Sequence, residues 1–509
     1  MTTRPNIVLI MADQLAPQFT STYGHPVVKT PHMDALAARG TRFDAAYCNS
    51  PLCAPSRAAF MTGRQSTQTR AYDNSADFPT SLPTFAHALR AAGYATCLTG
   101  KMHFTGPDQL HGFEERLTTD VYPSDFAWTP DWSDPLTRID KWYHNMDSVQ
   151  TAGPAATTFQ IEFDEEATFL ARRRIMEHAM TATQPGARPL AMVVGLMHPH
   201  DPYVPRPEFW DMYPDEVIDM PATPAATDPH SLRLRAGSEG DAVTASDAEI
   251  RSARRGYYAN SSYFDAKVGQ IVQALDEAQM LDNTIVIVTS DHGDMLGERD
   301  LWYKMSWFDH SGRVPMVVAG PGVRHATHDA PCSLVDLAPT LIEIAGTTPR
   351  VPLDGISLWP TLSTGAPSQT EAIGEYCAEC APGYPVCMIR RGQWKYIHCA
   401  ADPAQLYDMQ ADPLELTNLA DDPAHADVAA AFAAEAAQRW DDAAIRAQVI
   451  DSQQRRYLVN DAMQQGTLTH WDHTPPRDAS NEYVRNHMDW TVAAARTRFP
   501  PAPGLKERS

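Results

Sequence analysis

Five short apolar runs recur through the first two-thirds of the chain: Ile7–Ala12, Tyr94–Leu98, Leu190–Met197, Ile285–Val288 and Val314–Ala319. They are rich in β-branched residues and do not alternate with polar ones. That is the pattern of strands buried on both faces of a largely parallel sheet. Helical patterns lie between them, at Met33–Arg39, Pro83–Ala92, Asp247–Gln279 and Leu334–Ala345. Strands alternating with helices predict an α/β fold, a large doubly wound, mostly parallel sheet flanked by helices. No run approaches 18 apolar residues, and Ile7–Ala12 lacks the basic flank and cleavage pattern of a signal peptide. The expectation is a cytoplasmic protein with no membrane partner.

A chain of 509 residues with 43% hydrophobic and 20% charged residues is globular and long enough for more than one domain. Its formal charge of −22 argues against nucleic acid or an anionic membrane as the main partner. The pattern changes near Pro367. Residues 1–366 read as the catalytic α/β domain, with an irregular insertion over Arg206–Ser246. Residues 367–480 read as a smaller domain with strands at Ala372–Tyr376, Cys387–Arg390 and Lys395–His398 and an Ala-rich helix over Val428–Gln448. Residues 481–509 read as a C-terminal helix and tail, extended over Pro500–Gly504. Eight cysteines make no disulfide framework. Cys377, Cys380, Cys387 and Cys399 fit free thiols packed in the small sheet better than a zinc site, because their outer spacings match no common finger.

In folds of this class ligands bind beyond the carboxyl ends of the strands. Four of the predicted strands end in titratable residues: Asp13, Lys101 with His103, His198 with His200, and Asp291 with His292. Any one could be an ordinary loop residue; four together point to a shared site.

The segment Cys53-Ala54-Pro55-Ser56-Arg57 has the pattern C-x-P-S-R. On that motif, about 40 residues after Asp13, the sequence resembles the sulfatase family, of the alkaline-phosphatase-like superfamily. The resemblance implies that a separate formylglycine-generating enzyme oxidises Cys53 to formylglycine. Hydrated, the aldehyde offers two hydroxyls: one attacks sulfur, and proton loss from the other collapses the intermediate and ejects sulfate without a second attack by water. The resemblance further implies one divalent metal ion, Ca²⁺ or Mn²⁺ with Mg²⁺ possible, held by Asp13, Gln14, Cys53, Asp291 and His292. Arg57, one helical turn after Cys53, would hold the ionised diol. Lys101, His103 and Lys304 would offer cationic donors to the sulfate oxygens. His200 would protonate the leaving oxygen, with His198 the less favoured alternative.

Gln14 and His292 depart from the commonest sulfatase pattern, which has Asp and Asn there. They resemble the branch that holds choline sulfatases and phosphonate monoester hydrolases, and an imidazole ligand suits Mn²⁺ better than Ca²⁺. Residues 121–147 carry Tyr122, Phe126, Trp128, Trp132, Trp142 and Tyr143 in a chain that averages 9% aromatic. Aromatic faces beside carboxylates bind quaternary ammonium groups, although such rings are as often core. The stretches Leu110–Asp120, Trp142–Met146, Ser290–Arg299 and Val484–Met488 resemble the choline-sulfatase branch in particular, over nearly the whole chain. That implies choline O-sulfate as substrate, with Trp128, His144 and Asn145 on the choline side, and a homotetramer whose tail reaches a neighbour. Phe19 and Glu379 are weaker candidates for the pocket. The rival readings are a phosphonate monoester or phosphodiester hydrolase and, more remotely, a non-catalytic choline-binding protein.

Overall fold

The computed structural model describes residues 4–139, 143–182, 184–367, 371–476 and 487–488. In chain order the strands are β1 (Asn6–Asp13), β2 (Thr41–Phe43), β3 (Ala46–Tyr47), β4 (Ala95–Gly100), β5 (Glu115–Arg116), β6 (Leu190–Pro199) and β7 (Thr284–Ser290). They continue as β8 (Met316–Ala319), β9 (Ala326–His328), β10 (Cys332–Ser333), β11 (Glu371–Tyr376), β12 (Val386–Arg391), β13 (Trp394–His398) and β14 (Gln405–Asp408). Eight of them form one sheet in the order β5-β4-β6-β1-β7-β8-β2-β9. The pairings are parallel except where β8 meets β7 and β2.

The missing alternation in the apolar runs has a direct cause. Along β1, Ile7, Leu9 and Met11 enter one core while Val8, Ile10 and Ala12 enter the other. One face is covered by the helices Pro31–Ala37, Phe159–Thr181 and Asp247–Glu277; the other by Cys53–Thr62, Phe85–Ala91 and Leu337–Ile344. The last of the long helices starts where the sequence calls for it, because Ser246 and Glu249 form a capping box. The 23-residue helix Phe159–Thr181 has no counterpart in the sequence reading. Its buried residues mix Ile161, Phe163 and Ile175 with Gln160, Asp164 and Thr168, while Phe159 and Phe169 are exposed, so no strong apolar period shows.

The smaller domain is an antiparallel sheet in the order β11-β12-β13-β14, and its inner face joins the same core as the large sheet. Two expectations are corrected. The Arg206–Ser246 insertion contains the helix Pro229–Gly237, with Pro229 at its first position and Asp228 capping Ser231 N–H. The Val428–Gln448 helix is two helices, Ala426–Arg439 and Asp442–Met463. The break falls at Trp440, whose buried indole donates to Glu375 Oε1 at 2.9 Å and holds the backbone extended.

Cys377, Cys380, Cys387 and Cys399 are buried free thiols, and no metal-binding group among the described residues includes them. Among the described residues no helix is long and apolar enough to cross a membrane. The proposed tail, most of Val484–Met488 and Trp142 lie outside the described residues.

Candidate active site

Strands β4, β6, β1 and β7 are adjacent and parallel, so their carboxyl ends open on one side of the sheet. Asp13 ends β1, Lys101 follows β4, His198 and His200 end and follow β6, and Asp291 follows β7. Lys101 leaves the sheet where Gly100 and Gly195 face each other. A Cβ at Gly100 would lie 1.9 Å from the Gly195 oxygen, and one at Gly195 would lie 1.9 Å from the Lys101 oxygen.

Cys53 is the first residue of helix Cys53–Thr62, and the motif around it is a set of ties to these strand ends. Ser56 Oγ donates to the Asp291 carbonyl at 2.6 Å. Arg57 Nε donates to Asp291 Oδ2 at 2.8 Å and Arg57 Nη1 to the Lys101 carbonyl at 2.7 Å. Arg57 Nη2 lies 3.6 Å from Asp13 Oδ2 and has no hydrogen-bond partner among the described residues. Cys53 Sγ stands 3.6 Å from Asp13 Oδ1 and 3.3 Å from His292 Nε2. Burial and the neighbouring Asp13 carboxylate push its thiol up to about 12. The thiol is therefore no thiolate nucleophile at neutral pH.

Asp13, Cys53, Asp291 and His292 are all buried, and one ligand atom from each falls within a 4.8 Å set. Two carboxylates and an imidazole suit a divalent cation. His292 Nδ1 sits 3.0 Å from the Gly293 carbonyl, which fixes its proton there and turns Nε2 toward the set, as a metal-binding histidine requires. Burial alone would raise Asp13, but the paired Lys101 ammonium, His200 and Arg57 hold it well below the usual carboxylate range. Gln14 Oε1 accepts from Lys304 Nζ at 2.6 Å, on the side away from its amide nitrogen.

Beyond the end of β6, Lys304 Nζ also lies 2.7 Å from His200 Nε2. Burial and the Lys304 ammonium push His200 down to about 3. His198 instead bonds Asp164 Oδ2 at 2.6 Å and packs on Tyr263, a tie to helix Phe159–Thr181. His103 is buried, with neither ring nitrogen hydrogen-bonded among the described residues. Burial and the Lys101 ammonium push it down to about 3.

The aromatic segment divides. Tyr122 covers Lys101 Nζ at 4.2 Å, and Trp128 lies 5.1 Å from Tyr122 and 6.0 Å from His103. Trp132 is core, its indole donating to the Ala378 carbonyl, and Phe126 packs edge-on against Trp471. His144 stacks on Tyr303 at 4.3 Å and points Nδ1 at Asp201 Oδ2, 3.4 Å away. Asn145 Oδ1 accepts from Asp147 N–H, which stabilises the turn that follows. Phe19 packs on Tyr257 and Tyr258 and opens on a separate cavity of about 420 Å³ with Arg254 and His310. Glu379 is buried with Oε2 unpartnered among the described residues, and burial pushes it up to about 7 although Lys304 lowers it.

Sequence reasoning missed Asp201, one residue after His200, and Asp294, inside the Ser290–Arg299 stretch. Gln14 Nε2 donates to Asp201 Oδ1 at 3.3 Å and to Asp294 Oδ2 at 2.7 Å. It also missed Asp120, which accepts from Met102 N–H and His103 N–H and shapes the loop after β4.

Residues 5–347 match the family model described as Sulfatase. The chain belongs to the sulfatase family. Residues 447–499 match the model for the choline sulfatase enzyme C terminal, and residues 297–441 match that for the N-sulphoglucosamine sulphohydrolase C-terminal region. The choline-sulfatase of Rhizobium meliloti (strain 1021) is 46% identical over 513 residues, covering 98% of this chain and 99% of the relative. Arylsulfatase K of Danio rerio is 30% identical, covering 80% of this chain and 78% of the relative. Among solved structures, the phosphonate monoester hydrolase of Agrobacterium radiobacter aligns with a TM-score of 0.67 and 26% identity, covering 88% of this chain and 96% of the other. The chain is a sulfuric ester hydrolase, and the family implies a divalent metal and a formylglycine at the motif cysteine.

Proposed function

We propose that this protein hydrolyses choline O-sulfate to choline and sulfate. The observation that carries the reading is the end-to-end match to a choline-sulfatase, joined to a match of the C-terminal segment to that enzyme's own C-terminal model. Formylglycine at position 53, made by a separate maturation enzyme, supplies the nucleophile. Asp13, Gln14, Asp291, His292 and the residue-53 side chain would hold a divalent cation, which would supply Lewis-acid polarisation of the sulfate oxygens. The imidazole donor favours Mn²⁺ over Ca²⁺ or Mg²⁺. The assembly is a homotetramer.

The chain's own residues do the rest. Arg57, pinned through Nε and Nη1, keeps Nη2 for an oxyanion at position 53. Lys101, Lys304 and the N–H of His103 offer donors to the sulfate oxygens. In the resting site the proton shared by His200 and Lys304 belongs to Lys304. A sulfate ester seated beside the pair brings negative charge that favours the cationic imidazole; His200 Nε2 takes the proton from Lys304 and passes it to the alkoxide as the S–O bond breaks, leaving Lys304 as the neutral amine. An alkyl alcohol needs this proton more than a phenol does.

Trp128, His144 and Asn145 mark the choline side, with Glu379 as counter-charge. A desolvated cation over an aromatic face is worth about 2 kcal/mol, roughly 30-fold. The test compares kcat/KM for choline O-sulfate and for its neutral isostere, 3,3-dimethylbutyl sulfate. We expect at least about 10-fold preference for the cation; equal rates overturn the substrate assignment. Trp128→Ala should raise KM for choline O-sulfate about 10-fold and leave 4-nitrophenyl sulfate nearly unchanged. Equal losses on both would make Trp128 packing.

Glu379 gives a pH dependence. Its carboxyl is neutral below about 7 and anionic above, so a cation binds better on the alkaline side. KM for choline O-sulfate should fall as pH rises from about 6 to about 8, and Glu379→Gln should flatten that trend. A trend unchanged in the variant assigns it to another group.

The second reading, a phosphonate monoester hydrolase, draws on the structural similarity to that enzyme and on Gln14 and His292. Sulfate and phosphonate esters share a tetrahedral centre, so the two readings differ in which ester turns over faster.

A further inference from the structure

Helix Asp442–Met463 begins on an apolar stripe and ends on a polar one. Its buried positions are Ile445, Val449, Gln453 and Arg456, all on one helix face. The last two carry hydrogen-bonding groups where packing alone would ask for apolar side chains. None of the roles assigned above uses them. A guanidinium held out of water is costly unless it is paired, so its partners show what it is there to hold.

Those partners belong to the choline side of the site. Arg456 sets its fork on Asp73, Nη1 to Oδ1 and Nη2 to Oδ2, each at 2.7 Å. Nη1 also donates to Thr129 Oγ1 at 3.2 Å. Tyr457 Oη donates to the Thr129 carbonyl at 2.9 Å, and Gln453 Oε1 accepts from Trp132 N–H at 2.8 Å. Residues 453, 456 and 457 lie three and four apart, so one helix face grips both ends of Thr129–Trp132, the backbone directly after Trp128.

Asp73 carries the grip on to the nucleophile. It opens a loop in which its own Oδ1 accepts from Ser75 N–H at 3.0 Å. Asn74 Oδ1 accepts from Ala54 N–H at 3.0 Å, next to Cys53. Ser75 Oγ donates to the Asp125 carbonyl at 3.1 Å and lies 3.3 Å from Thr129 Oγ1. Through one loop the ion pair ties the helix that starts at Cys53 to the segment that carries Trp128.

We propose that Gln453, Arg456 and Tyr457 are positioning residues for substrate specificity, fixing Thr129–Trp132 and the Asp73 loop so that Trp128 stands at a set reach from residue 53. The inference rests on the choline O-sulfate reading and deepens it. All three residues lie in the segment matched to the choline sulfatase C-terminal model. A helix that only stabilises the fold would, when weakened, cost every ester alike. One that places the ammonium-binding ring costs the cationic ester alone, and costs it in KM rather than kcat.

The test is a coupling cycle against Trp128 on converted, metal-loaded enzyme. Tyr457→Phe removes one hydroxyl and no charge. It should raise KM for choline O-sulfate about 5-fold, the worth of one hydrogen bond, with kcat and 4-nitrophenyl sulfate turnover within about 2-fold of wild type. Asp73→Asn combined with Arg456→Met removes the ion pair without stranding a buried charge, and should raise that KM about 10-fold while again sparing 4-nitrophenyl sulfate. In a Trp128→Ala background neither change should raise KM by more than about 2-fold. Equal losses on both esters, an unchanged KM in Tyr457→Phe, or full additivity with Trp128→Ala overturns the proposal. Should the double variant not fold, Tyr457→Phe and its cycle decide it alone. Wild-type enzyme that turns over 3,3-dimethylbutyl sulfate as well as choline O-sulfate sinks the parent reading instead, so the two failures are distinct.

Discussion

Cys53→Ala enzyme should hydrolyse no sulfate ester measurably above background, a loss of at least about 10⁵-fold, while its melting temperature moves by less than about 3 °C. Both halves follow from where the residue sits. It opens a helix, where alanine is the best helix former, and its side chain hydrogen-bonds to Asp13 and His292. Those two remain held by Lys101, Arg57 and the Gly293 carbonyl when the sulfur goes. The thiol's rise to about 12 makes a further point. Protein that escapes conversion should be inactive and should resist alkylation at neutral pH. Turnover, a peptide mass at position 53 and a thermal melt on one batch check all three. Retention of more than about one percent of activity in the alanine variant would remove the nucleophile from the account.

Asp13→Asn is expected to cost both activity and stability. Asp13 is a cation ligand candidate and also the anion that neutralises Lys101, which is fully buried beneath Tyr122. Asparagine keeps the shape and one oxygen but leaves a buried ammonium uncompensated, a change that typically costs about 3–5 kcal/mol. We expect bound metal to fall below about one-tenth per chain, kcat to fall at least about 10³-fold, and the chain to be destabilised by about 3 kcal/mol. Metal analysis, steady-state kinetics and urea unfolding test these separately. A variant that keeps its metal and its stability would show that the Asp13–Lys101 pair does not organise the site.

The sheet was legible because strands buried on both faces write unbroken apolar runs, and four of the five runs lead into titratable residues at one edge of the sheet. The motif at Cys53 was legible because its serine and arginine are there to tie one helix to two strand ends. Other features leave no such trace. The reversed direction of β8 is invisible in a four-residue apolar strand. The helix Phe159–Thr181 hides its period behind buried alanine, threonine and aspartate. Trp128 and Trp132 are four residues apart in one aromatic stretch, yet one faces the site and the other the core. Asp201 and Asp294 reach Gln14 across 187 and 280 residues, a separation that no local pattern records.

The most direct test measures turnover per formylglycine of choline O-sulfate and of an aryl phosphonate monoester, at matched saturation, on one metal-loaded preparation. The account predicts that the sulfate is the faster of the two. Faster turnover of the phosphonate would contradict it.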